Sequence, residues 1–402
     1  MMVHTPPLTQ VGARAPAERR VWMRAVQYRP SIPRFVLARL LGKRFPVTAL
    51  PLRLERVPAP EPPAGWVRVR VRLAGVCGSD LALLYGKNSP RLSPFFSFPA
   101  VLGHEILGEV AGSRVVVNPL LACRERGLEP CPACREGEEG RCVNVARGAL
   151  APGMLGFHRE LPGGWSEMVV AHPARLYPVP DRVPDERAVF AEPFAVVVRG
   201  VRLAFEGGFP RRVLMVGAGT IGLLAVRALR LLGFTGEVHV IARRPHQAEF
   251  ARRMGADRVH AGLAEAAQAG GSERYRAVFG YTAWRGGFDA VVDAAGSASS
   301  LEQASWMVRE GGTILLLGAP GVMVHDFAPY WFREVRLVGS YVYAARDFRD
   351  AVEMLVEAEG LEVLLTHTFP LHAWPEALRT AVRHRGVKVA FAPGGARRRV
   401  ML

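Results

Sequence analysis

The cysteines of this 402-residue chain carry its first chemical signal. Cys123, Cys131, Cys134 and Cys142 fall in one loop-like stretch, LLACRERGLEPCPACREGEEGRC, whereas Cys77 stands alone in GVCGSD. Cys131 and Cys134 have chelate spacing, and Cys142 follows after seven residues. Four thiolates can close a tetrahedral shell, and such a shell is a structural zinc site that holds a loop folded. An odd count argues against a disulfide framework. A zinc ribbon on nucleic acid is the rival reading, but only Arg124, Arg126, Arg135 and Arg141 surround the cysteines, with no aromatic platform.

A second signal lies at residues 213–234, VLMVGAGTIGLLAVRALRLLGF, where Gly217, Gly219 and Gly222 make G-x-G-x-x-G. The pattern follows a short apolar strand, opens a helix through Thr220 and Ile221, and precedes a second strand, EVHVIA. That context makes it a dinucleotide fingerprint: a tight turn at Gly217, close pyrophosphate approach at Gly219, helix packing at Gly222. The phosphates then meet a helix N-terminus. An acidic residue normally ends the second strand and holds the adenosine ribose, but this strand runs into Ala242, Arg243 and Arg244. Two guanidiniums offer a 2′-phosphate forked hydrogen bonds where a carboxylate would repel it. The expected cofactor is NADP.

These groups need two kinds of scaffold. The chain exceeds the roughly 250–300 residues at which one core stops growing, so two domains are expected. FDAVVDAAGS at 288–297, GGTILLLGAPG at 311–321 and VRLVGSYVY at 335–343 are apolar runs, the first two flanking a helical stretch at 299–308. Strands alternating with helices imply a parallel sheet covered on both faces. MRAVQY, WVRVRVRL and RVVVNP instead read as short antiparallel strands. Half the residues are apolar and 22% charged, which excludes a disordered or collagen-like chain. No apolar run approaches the ~18 residues of a membrane span. Residues 1–21 have no apolar signal-peptide core, so a frayed tail and a cytoplasmic protein are expected. The net charge is +16, with Lys43, Lys87 and Lys388 the only lysines. The arginines are spread along the chain, which disfavours a nucleic-acid partner and suits a solvated basic surface or an anionic ligand.

GVCGSD at 75–80 and GHE at 103–105, taken with the cysteine loop and the glycine turn, resemble the zinc-dependent medium-chain alcohol and polyol dehydrogenases. The likeness runs from Met23 to Pro393 in motif order: lone Cys, GHE, Cys-rich loop, AEP, fingerprint, C-terminal return. It implies an α/β chain, with a Rossmann-type doubly wound parallel sheet as coenzyme domain and a β-rich GroES-like catalytic domain. The division would be a flexible tail at 1–22, a catalytic domain at 23–195 with its zinc lobe at about 120–143, an NADP-binding domain at 196–343 and a catalytic return at 344–402. By resemblance, a catalytic zinc falls on Cys77 and His104, with Glu105 or Glu192 as third ligand. One thiolate, one imidazole and one carboxylate leave an open position where an alcohol can bind and lose its proton. Ser79 matches the hydroxyl that takes that proton, and Asp80 the carboxylate that orients the histidine.

The expected activity is hydride transfer between NADP(H) and an alcohol, polyol or sugar, with two zinc ions per chain in a dimer or tetramer. A catalytically silent member of the fold is the alternative. Departures from the pattern are Ala82, where relatives carry a relay histidine, and the RERGLEP insertion, which leaves Cys123 the least secure ligand. The turn after the GHE strand shortens to AGS. Phe95, Phe96 and Phe98 could line a pocket or belong to the core. Residues 31–50 form an insertion with an apolar stripe, Phe35, Val36, Leu37, Leu40 and Leu41, beside Arg34, Arg39, Lys43 and Arg44. It is expected to be a helix covering apolar surface of its own chain or of a partner, rather than a membrane anchor.

Overall fold

The computed structural model describes residues 21–318, 321–395 and 398–399, so the expected tail at 1–22 lies almost wholly outside the described residues. Alternation along the first fingerprint strand, Arg212–Val216, explains the first architectural unit. Val213 and Met215 face one apolar cluster with Leu223 and Leu229 of the helix Thr220–Leu231, while Leu214 and Val216 face another with Ala304 and Met307 of the helix Ala298–Met307. Successive side chains point to opposite faces, and both faces are covered. Five more strands join in parallel, in the spatial order Arg258–His260, Glu237–Ile241, Arg212–Val216, Phe288–Asp293, Val308–Leu316, Arg336–Gly339. In chain order this is 3-2-1-4-5-6, the doubly wound sheet whose ligand cleft opens between strands one and four.

The second unit is β-rich and mostly antiparallel. Val67–Gly75 pairs with Ile106–Val110 and with Met168–Ala171, and Ile106–Val110 pairs with Ser113–Val117. The AGS turn is a two-residue hairpin turn in which Ala111 and Gly112 both take positive φ, the conformation that matches strand twist. The C-terminus returns to this sheet: Lys388–Phe391 sets Ala390 opposite Gly75 and Phe391 opposite Ala74. Trp22–Tyr28 and Leu52–Pro58 form a hairpin, from Trp22 opposite Pro58 to Tyr28 opposite Leu52, and the 31–50 insertion is its long loop.

Several expectations are corrected. The strand expected over 335–343 is confined to Arg336–Gly339 at the sheet edge. Residues Glu273–Arg276 and Thr282–Arg285 pair as an unanticipated hairpin, although YR and TAW carry strand character. The insertion does form a helix, Ile32–Leu41, opened by Pro33 and closed at Gly42. Its stripe does not cover its own chain: Val36, Leu37, Leu40 and Leu41 are exposed, and Ala38 is its buried residue. The contact edge is instead Phe35, against Gly86, and Arg39, which donates to the Gly86 carbonyl at 2.5 Å. Among the described residues no helix is long and apolar enough to cross a membrane.

Candidate active site

Cys77 caps the helix Gly78–Leu84, where Asp80 closes the first turn by accepting the Cys77 backbone N–H at 2.9 Å. His104 and Glu105 sit in the loop between Ala100–Val101 and Ile106–Val110, the latter being the strand beside Val67–Gly75. The register therefore brings the Cys77 turn against GHE, and ligand atoms of Cys77, His104 and Glu105 lie within 4.8 Å of one another. Gly75 makes room for this, because a Cβ there would stand 1.7 Å from Glu105 Oε2. His104 Nδ1 lies 3.5 Å from Asp80 Oδ1, and Ser79 Oγ lies 3.4 Å from His104 Nε2. Asp80 is thus behind the imidazole and Ser79 on its open side. Burial disfavours a charged His104, but Asp80 and Cys77 outweigh it and hold its pKa well above the usual imidazole value.

Glu192 does not join the trio. It is buried in the first turn of Ala191–Ala204, close enough to feel His104 and Glu105, and burial pushes its carboxyl up to about 7. Sequence reasoning missed Lys388. Its ammonium forms a buried ion pair with Glu105 Oε2 and reaches the Val76 carbonyl at 3.5 Å. Burial opposes that charge, but Glu105 and Cys77 more than offset it and raise the pKa of Lys388. Its rarity as one of three lysines was the available signal. The phenylalanines divide: Phe96 packs on Phe157, whose ring lies 5.3 Å from His104, while Phe98 meets Tyr28 edge-on and Phe95 is exposed.

The four lobe cysteines also converge within 4.8 Å, Cys123 among them. Cys123 Sγ is 3.6 Å from Cys142 Sγ and accepts the Cys131 N–H and the Asn144 side-chain amide, each at 3.3 Å. Burial alone would raise the Cys131 thiol, but the N–H groups of Val143 and Cys134 pull it down to about 6. The RERGLEP insertion is tolerated because it supplies its own staples. Arg126, fully buried, donates to the carbonyls of Leu121, Arg147, Leu150, Ala151 and Gly153. Glu125 accepts both Nε and Nη2 of buried Arg175, whose Nη1 reaches Glu139.

Both donor sets fit zinc on their own chemistry. The lobe offers four soft thiols, and the cleft offers a thiol, an imidazole and a carboxylate whose Oε1 is buried without a hydrogen-bond partner. The fingerprint fits a dinucleotide. Gly217 has φ +109° and faces Ala295, a Cβ on Gly222 would stand 1.9 Å from the Gly217 carbonyl oxygen, and Gly219 faces open space at the helix N-terminus. Arg243 and Arg244 are exposed at the end of the second strand.

Comparison with known proteins agrees with this architecture. Residues 63–181 match the alcohol dehydrogenase GroES-like domain and residues 220–357 the zinc-binding dehydrogenase domain. A D-altritol 5-dehydrogenase from Agrobacterium fabrum is 30% identical over 337 residues, 79% of this chain and 89% of the relative. The chain belongs to the zinc-dependent medium-chain alcohol and polyol dehydrogenase family. Among solved structures, an Escherichia coli alcohol dehydrogenase complexed with NADH superposes with TM-score 0.68 at 26% identity, over 92% of this chain and 99% of that one. A Sinorhizobium meliloti protein described as a zinc-binding dehydrogenase and bound to NADP gives TM-score 0.69 at 26% identity, over 93% and 100%. The family thus holds members bound to either nicotinamide cofactor, and the choice in this chain rests on its own residues.

Proposed function

We propose that this chain is a zinc-containing, NADP(H)-dependent dehydrogenase that interconverts an alcohol, polyol or sugar hydroxyl and its carbonyl. The single observation carrying the reading is the convergence of Cys77, His104 and Glu105, tied to the head of the fingerprint helix through Lys388 and Val387. D-altritol 5-dehydrogenase, a polyol enzyme by name, supports the substrate class. We take the domain division to be 23–195 and 344–402 around 196–343.

Bound at these groups, zinc would supply Lewis acidity that lets a hydroxyl ionise near neutral pH, and the nicotinamide would take or give hydride. The chain's residues do the rest. Asp80 fixes the His104 tautomer from behind, so that Nε2 points into the cleft. Ser79 Oγ accepts the substrate proton while passing its own outward, and with Ala82 in place of a relay histidine that proton leaves to water or ribose. Lys388 holds Glu105 by its charge, which sets when that carboxylate is free to act as a ligand. Phe96 and Phe157 wall the His104 side against water. Between Glu105 and Glu192, the gathered trio supports Glu105 as third ligand. An open sheet edge at Arg336–Gly339, with Leu337, Trp331 and Phe332 exposed, supports a homo-oligomer.

The test is a panel of alcohols, polyols and aldoses followed by NADPH absorbance, with elemental analysis for zinc. Turnover with about two zinc ions per chain is expected. A protein holding one zinc and turning over nothing is the silent member instead.

A further inference from the structure

The chain's lysines are few, and two of them, Lys43 and Lys87, lie near enough for one to feel the other's charge although they are far apart in sequence. Lys43 lies just after the insertion helix and donates to His384 Nε2 at 2.7 Å, on the loop that enters the strand Lys388–Phe391. That loop is tied to the coenzyme unit: Thr220 Oγ1, at the head of the fingerprint helix, donates to the Val387 carbonyl at 2.8 Å. Lys87 follows Gly86, on which Phe35 and Arg39 of the insertion helix rest. Its backbone also meets the coenzyme unit, since a Cβ on Gly321 would stand 2.3 Å from the Lys87 carbonyl oxygen. Insertion, Lys87 turn and fingerprint therefore form one rim.

We propose that Lys43 and Lys87 form the far wall of the 2′-phosphate pocket, so that a phosphomonoester dianion bridges them to Arg243 and Arg244 and joins the two units of the chain. This rests on the NADP reading above and assigns the 31–50 insertion its task. Many cations elsewhere in the chain have carboxylate partners, such as Arg24 with Glu167 and Arg175 with Glu125. Among the described residues none of Lys43, Lys87, Arg243 and Arg244 enters an ion pair, and all four are exposed to the cleft rim or solvent. Four like charges held together repel until an anion sits among them. Each stands in the field of the others. Lys43 is lowered first by burial, then by Lys87, Arg244 and Arg243, and His384 is lowered to about 4 by burial, Lys43, Arg244, Lys87 and Arg243. A neutral His384 is the acceptor that keeps the Lys43 ammonium aimed along the rim. The groove beside Lys43 adds Arg44, Arg379 and Arg383, all exposed, so the positive field extends along this surface.

The experiment is equilibrium binding of NADPH, NADH and adenosine 2′-monophosphate at one salt concentration, by fluorescence and calorimetry. Lys43→Gln should weaken NADPH roughly tenfold and leave NADH within about twofold, with Lys87→Gln similar and the double variant weaker still. Lys43→Arg, which keeps the charge, should bind like the unmodified protein, and this separates charge from packing. The salt dependence of NADPH affinity should flatten in each glutamine variant. An unmodified protein that binds NADH as tightly as NADPH overturns the cofactor reading itself. A protein that prefers NADPH, loses the preference in Arg243→Gln and keeps it in the lysine double variant overturns the bridging wall alone.

Discussion

The four-cysteine lobe and the Cys77, His104, Glu105 trio both gather metal-competent atoms within 4.8 Å, yet everything around those atoms differs. Lobe ligands come from a single short segment, and backbone or amide N–H groups already point at the sulfurs. The scaffold behind them is polar and spent: Arg126 on five carbonyls, Arg175 on Glu125 and Glu139. Cleft ligands come from a helix cap and from the loop that enters the strand Ile106–Val110, and a lysine from far along the chain holds one of them. Buried polar atoms there remain without partners. A closed donor set with a satisfied surround contributes folding free energy, whereas an open one with unsatisfied groups contributes chemistry.

The largest effect that could break this contrast comes from ligand removal. Cys77→Ser or His104→Ala should abolish turnover while the melting temperature stays close to that of the unmodified protein. Cys134→Ser should lower solubility and melting temperature first, because the lobe closes through its metal. Paired thermal melts and steady-state assays check this, and equal melting losses in both kinds of variant would show that the two clusters are not different in kind.

Ser79→Ala sharpens the cleft side. It should lower kcat by ~10²-fold or more with cofactor affinity unchanged, the signature of a lost positioned proton acceptor. Small buffer bases should restore part of the rate, since Ala82 offers no competing relay. Unchanged activity would remove Ser79 from the chemistry.

The next effect is smaller and tests the cofactor wall. Arg243→Asp with Arg244→Ala should weaken NADPH by about tenfold or more relative to NADH, because a carboxylate repels the phosphate that the guanidiniums would hold. Titration of both cofactors into the unmodified and variant proteins decides it, and an unmoved ratio would place the phosphate elsewhere.

What was legible in the sequence was local. The fingerprint could be read because strand, turn and helix are consecutive, and Gly217, Gly219 and Gly222 each answer a steric demand within a few residues. The lobe was legible for the same reason, although Cys123 looked insecure until Arg126 showed how the extra loop is held. Contacts between distant segments were not. Nothing in the spacing of GHE points to Lys388, and nothing in RFVLARLLGKRF points to His384 or Gly86, because sheet closure and loop packing create those meetings. The apolar stripe of the insertion helix was read as a buried face, but basic residues and Phe35 set its docking edge. The arginine excess was likewise read as surface charge, while Arg126, Arg175, Arg187, Arg199 and Arg333 are buried. Part of the excess therefore serves as internal scaffolding.

The smallest expected effect concerns acid, and it acts on the wall between the two clusters. His158 is fully buried beside Phe157, and its Nδ1 accepts the N–H groups of Glu160 and Leu161, both at 3.1 Å. Accepting two backbone donors requires the neutral ring, and burial lowers its pKa to about 4 from an ordinary 6.5. The unfolded chain therefore takes up a proton as pH falls below about 6.5 while the folded chain does not, so stability is lost progressively between pH 6.5 and 4. At pH 5 this one ring should cost about 2 kcal/mol of folding stability. His158→Asn keeps an acceptor oxygen for the same donors and cannot titrate. Its melting temperature should fall less steeply than that of the unmodified protein from pH 7 to pH 5, in metal-free samples so that thiolate protonation at a bound metal does not contribute. Parallel pH slopes for the two proteins would show that this wall is not where acid first acts.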